Sequence, residues 1–241
     1  MTVESRMLIP FSFKHFRCAV LCAEECRKIE ATYQIGSSWE ENAPIYMDDV
    51  AFASGAIISS VAFLESTINE LFLNCTFNSE NVKELPPEAK QILSNKWKTK
   101  EFPEKTMLFK YCQAYGIILK KGIDTDHTSY KNVEDLINLR NILVHFKPKW
   151  QMTDPITQDE YEISHLIGRF KENIFMTESG NPFFPSKCLG AGCALWAVRS
   201  AEEFYMFFFS SIGIKPNTEI DSLRQTIISK SLSYEVQRPE S

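Results

Sequence analysis

Hydrophobic positions along this chain recur almost everywhere at three- and four-residue spacing, and that spacing predicts helices. The first runs from Ser12 to Tyr33, with Phe13, Phe16, Ala19/Val20, Ala23 and Ile29 as its buried stripe. Gly36-Ser-Ser and Asn42-Ala-Pro44 punctuate the loop that follows. A second helix is predicted to start near Met47–Asp49, where Asp48 and Asp49 suit the positive end of the dipole. It continues through Ile57, Val61, Leu64, Ile68 and Leu71 to about Phe77, the longest element and the spine of a bundle. Leu85-Pro-Pro-Glu opens a shorter helix that ends near Trp97, and Thr106 to Lys120 forms the next. Residues 79–126 therefore read as an insertion of small helices. Glu160 to Lys171 is expected to be a short amphipathic helix, Pro182-Phe-Phe-Pro185 an aromatic turn, and Lys187 to Ile212 the last bundle helix. No internal repeat and no sustained alternating pattern is present. The expected class is all-α, in a single domain over 1–215, followed by one more helix (Asp221 to Ser229) and a polar tail over 216–241.

One further helix is unusual in what it carries. In Asp135-Leu-Ile-Asn-Leu-Arg-Asn-Ile-Leu-Val-His145-Phe-Lys-Pro148 the apolar frame is Leu136, Leu139, Leu143 and Phe146. Ser129 is a candidate cap at its start, and Pro148 should stop it by removing a donor and pushing Lys147 out of the α region. Set into the frame are Arg140, Asn141 and His145. Asn141 and His145, four apart, share one face, and Arg140 has a side chain long enough to lean toward them. A histidine can move protons near neutral pH. An arginine can hold phosphate oxygens with a forked pair of donors, and an amide can orient either partner. The bland alternative is that Arg140 pairs with Glu65 or Glu70 on the spine helix while His145 merely caps carbonyls.

Arg140-Asn141-x-x-x-His145, in a helix preceded by the long helix through Ser60–Phe72, resembles the Arg-x4-6-His motif of the HEPN (higher eukaryotes and prokaryotes nucleotide-binding) domains. The resemblance covers about residues 47–78 and 128–148, with a looser likeness around 187–212. It implies a HEPN-like helical bundle and a metal-independent endoribonuclease of the toxin or anti-phage defence kind. Arg140, Asn141 and His145 would be its catalytic residues, with Glu65 and Lys147 in support. In the family two copies of the motif commonly meet in a homodimer, so a composite site on RNA is the implied arrangement, and an antitoxin or defence protein is a possible partner. Family members controlled by AMP transfer carry a tyrosine two residues beyond the histidine. Lys147 stands there, so that control is not implied. A noncatalytic HEPN-like module for protein or nucleotide binding is the alternative.

Composition narrows the setting. The net charge of −5 argues against nonspecific coating of nucleic acid, though it leaves room for a local basic groove. Lys96-Trp-Lys-Thr-Lys100 has the makings of a phosphate-and-stacking patch, but a solvated helix end is the commoner outcome. Seven cysteines follow no disulfide framework; Cys18, Cys22 and Cys26 form one helical stripe, read as a packing seam in a reducing compartment rather than a zinc site. The start is not a signal peptide, and the two apolar runs read as buried helices, so no membrane partner and a cytoplasmic location are expected. No metal or cofactor is expected either. His15, His127 and His165 read as surface or capping residues.

Overall fold

The computed structural model describes residues 9–34, 38–147, 163–215 and 220, and among these there is helix and no strand. Six α-helices carry the fold: α1 (Ser12–Glu30), α2 (Trp39–Phe77), α3 (Pro87–Trp97), α4 (Met107–Leu119), α5 (Thr128–Val144) and α6 (Ala191–Ser211). The all-α expectation holds. The helix predicted for Asp221 to Ser229 lies outside the described residues.

The spine helix starts eight residues or more before the sequence suggested. Ser38 and Glu41 form a capping box, each side chain meeting the other's backbone N–H, at 3.3 Å and 3.2 Å. Pro44, read as a breaker, sits inside this first stretch of α2. Its ring leaves the Glu40 carbonyl without the usual helical donor, and Glu40 is exposed, so water can take that place. Asp49 consequently lies well inside the helix and is fully buried, far from any dipole role at its start.

Helix directions follow from contacts between named residues. The α1 N-terminus is held by Glu70 of α2, which accepts from the backbone N–H of Phe11 (2.8 Å) and Ser12 (2.9 Å) and from the Ser12 hydroxyl (2.7 Å). The other end of α1 passes Asp49, so the two helices are antiparallel; Cys22 lies directly against Gly55, where an added Cβ would stand 3.0 Å from its sulfur. Helix α6 runs parallel to α2, with Glu30 and Asp49 near its start and Tyr205 against Phe63 farther along. Helix α5 runs back along α6: His127 stacks on Phe207 at 4.1 Å, while Phe146 meets Phe184 at 6.1 Å beyond the opposite end.

The segment read as a small insertion is part of the common core. Trp97 and Phe102 both pack on Phe72, and the fully buried Tyr111 sits edge-on to Phe204 and Phe208 while donating to the Leu64 carbonyl at 2.9 Å. The short amphipathic helix expected from Glu160 to Lys171 is corrected: among its described residues only Ser164–Leu166 forms one 3₁₀ turn. Gly168, with φ of +80°, breaks any continuation. The aromatic turn at Pro182–Pro185 is present, leading into one wide turn at Phe183–Lys187 before α6.

Candidate active site

Helix α5 begins at Thr128 behind His127, whose Nδ1 accepts from the Ser129 N–H at 3.2 Å; the cap is His127, not Ser129. Its buried stripe is Tyr130, Val133, Leu136 and Leu139. Toward the C-terminus the burial fades: Leu143 is half-buried, Val144 is 50 % exposed and Phe146 is 42 % exposed. The helix stops at Val144, and His145 is its C-cap, its N–H still bonded to the Asn141 carbonyl at 3.0 Å. Pro148, the expected stop, lies outside the described residues.

Asn141 and His145 are both exposed, on one solvent-facing row as their spacing predicts. Arg140 is half-buried and belongs to a different flank. Five residues on an α-helix amount to a rotation of about 140°, so the Cβ atoms of Arg140 and His145 diverge. Among the described residues no hydrogen bond joins Arg140 to Asn141 or His145. Lys147 is exposed just beyond them.

The two carboxylates considered as structural partners of Arg140 are occupied elsewhere or turned away. Glu70 is spent on the α1 N-terminus. Glu65 is exposed, and its charge bears on Lys110, whose ammonium is bonded to the Asn69 side chain at 2.9 Å. Among the described residues no ion pair joins Arg140 to either. Glu65 therefore does not position Arg140 within this chain.

A second polar constellation sits about ten residues up the helix, roughly 15 Å from His145. Asp135 accepts from His165 at 2.8 Å and is ion-paired with Arg169. Sequence reasoning missed it: the partners are thirty and thirty-four residues from Asp135, and spacing that far along the chain does not set their approach. His165 is exposed, as a surface residue should be, and also fastens the 164–169 turn to α5. Its separation from His145 makes it no candidate for the second proton-carrying group of the motif.

Other candidates resolve simply. In the Lys96–Lys100 patch the Trp97 ring stacks on Phe72 and Lys96 lies over Phe102, so the aromatic is used in packing rather than offered to a base. The cysteines are all free thiols, from exposed Cys18 to buried Cys26, Cys188 and Cys193, and burial pushes the Cys26 thiol up. No group of three or more His, Cys, Asp or Glu side chains among the described residues is arranged to hold a metal ion. By length and composition α2 would cross a bilayer, but just over half of its most apolar stretch is covered by the rest of the bundle.

Compared with protein-family models, with curated proteins and with solved structures, the chain matches none.

Proposed function

We propose that this protein is a metal-independent endoribonuclease of the toxin or anti-phage defence kind, acting in the cytoplasm on RNA through a site completed by a second copy. The observation that carries the reading is that Arg140, Asn141 and His145 stand at the accessible end of α5 with no carboxylate among the described residues ion-paired to the guanidinium. No described carboxylate competes for its forked donors, which match the oxygens of a phosphate.

In this reading one His145 removes the proton from the ribose 2′-hydroxyl, whose oxygen attacks the adjacent phosphorus. Arg140 donates to the oxygens of the phosphorane, where negative charge accumulates. The 5′-oxygen leaves with a proton from His145 of the second copy, giving a 2′,3′-cyclic phosphate and a 5′-hydroxyl. Asn141, on the same row as His145, orients the imidazole or the ribose, and Lys147 adds a positive charge beside the path of the strand. The half-exposed Val144 and Phe146 supply the apolar contact between copies. An antitoxin or defence partner would cover the same end.

The test is cleavage of a labelled oligoribonucleotide, in EDTA, by the wild-type chain and by Arg140→Ala, with products resolved by end group. Cleavage to a cyclic phosphate that the variant lacks supports the assignment. A second reading, a noncatalytic helical module for protein or nucleotide binding, is favoured by the divergence of Arg140 and His145 around the helix; RNA or nucleotide binding without cleavage is its signature.

A further inference from the structure

Where α1 ends and α6 begins, the bundle buries a group of polar side chains that the proposed reaction does not use. Asp49 is fully buried and Glu30 is 3 % exposed. Glu30 Oε1 accepts from the N–H of Ala191, the first residue of α6, at 2.8 Å. Gly190 is needed beside it, since an added Cβ would stand 2.6 Å from that oxygen and 2.9 Å from Asn173. Asp49 Oδ2 accepts from the Asn173 amide at 2.8 Å, while its Oδ1 is enclosed without a partner. Asn173 also donates to the carbonyls of Leu189 (2.6 Å, side chain) and Lys187 (2.8 Å, backbone), and its side-chain oxygen accepts from Phe175 N–H at 3.0 Å. Asn173 thus ties α2, through Asp49, to the chain at Lys187 and Leu189, where the Phe183–Lys187 turn leads into α6. That turn carries Phe184, which packs on Phe146, next in sequence to His145.

We propose that Asp49 and Asn173 form a proton-dependent latch: with Asp49 neutral the latch pins the Phe183–Lys187 turn and the His145 end of α5, and with Asp49 ionised it lets them go. The groups facing Asp49 are Glu30 and Cys26 from α1, Tyr46 from α2 itself, and the uncharged Asn173 from the turn segment; Cys193 of α6 stands behind Cys26. No lysine, arginine or histidine among the described residues forms an ion pair with Asp49. A proton on Oδ1 gives the enclosed oxygen a donor and removes one of two neighbouring negative charges. Its loss leaves an ionised carboxylate in the core beside Glu30, and the cheapest relief is to open the site to water. Burial first, and the Glu30 charge second, push the Asp49 pKa up to about 8, which puts the release just above neutrality. The latch stands on this geometry alone; its bearing on RNA cleavage rests on the function proposed above.

Hydrogen–deuterium exchange of the full chain between pH 6.5 and 9, with labelling times scaled for intrinsic exchange, tests it. In the wild type, protection of peptides spanning 171–190 and 141–147 should fall by about tenfold per pH unit above pH 8. In Asp49→Asn the same peptides should show no pH dependence. Unchanged protection in the wild type, or equal pH dependence in the variant, would overturn the latch. Should Asp49→Asn fail to fold, Asn173→Ala decides: it should lose protection of the turn already at pH 6.5, and wild-type protection there would be the contrary result. None of these readouts involves RNA, so a protein that does not cleave RNA would still display the latch.

Discussion

Glu70 shows how much a single distant side chain can do for a helix start. Phe11, at the N-cap position of α1, has no side-chain oxygen to offer, and Glu70 takes three donors there instead. Glu70→Ala should cost about 1–2 kcal/mol, the range of a lost N-cap, read as a lower urea midpoint at unchanged m. Asp49 makes the opposite kind of statement. Its pKa is about 8 in the fold against an ordinary 3.8, so the native state holds a proton that the unfolded chain has released between those values. The sign follows: the contribution is fully present below pH 4 and is lost as pH rises through 8. Urea midpoints should therefore drop from pH 5 to pH 8, by at most about 1.4 kcal/mol of stability per pH unit from this group. Asp49→Asn should flatten that slope, and an unchanged slope would assign it to other groups. Neither residue's role could be read in the sequence. Asp49 lay in a run that suited a helix start, and only the placement of α2 against α1 and α6 reveals its burial.

At the scale of elements, periodicity located α1, α3, α4 and α6 closely, because each has a continuous apolar stripe and recognisable ends. It missed the start of α2 because Asn42 and Pro44 looked like punctuation, while the Ser38–Glu41 box that actually begins the helix is a stronger local signal than either. Ser38→Ala should remove about 1 kcal/mol and fray the stretch before Asp49, visible as faster amide exchange in 39–46. It also overextended into 160–171, where, among the described residues, Ile163, Leu166 and Phe170 pack on the core around a single 3₁₀ turn. Close approach fixes that segment: an added Cβ at Gly192 would stand 2.2 Å from the Lys171 carbonyl oxygen. Gly192→Ala should force backbone apart and lower the urea midpoint by more than Ser38→Ala does, despite the gain in helix propensity. A stabilised variant would contradict this packing.

At the scale of the molecule, the bundle separates two tasks. Its middle is closed by aromatic packing of Phe63, Tyr111, Phe204 and Phe208, and its end near the α6 start collects the polar groups and the exposed terminus of α5. The motif residues were legible in the sequence because the helix frame around them was regular. Their relation to one another was not, since a side chain five residues from another on a helix points elsewhere, and whether the pair converges depends on what docks against that end. A chain whose arginine and histidine diverge can unite them around one phosphate only with groups from a second copy, and that dependence is the central claim. It is tested most directly by mixing an inactive variant with the wild type. Arg140→Ala and His145→Ala, each alone, should retain helicity and cleave RNA slower than wild type by about a hundredfold or more in EDTA. Wild type equilibrated with an excess of His145→Ala should cleave more slowly than the same amount of wild type alone, because a mixed pair carries only one of the two histidines. A wild-type rate untouched by the added variant, or His145→Ala cleaving as fast as wild type, would contradict the account.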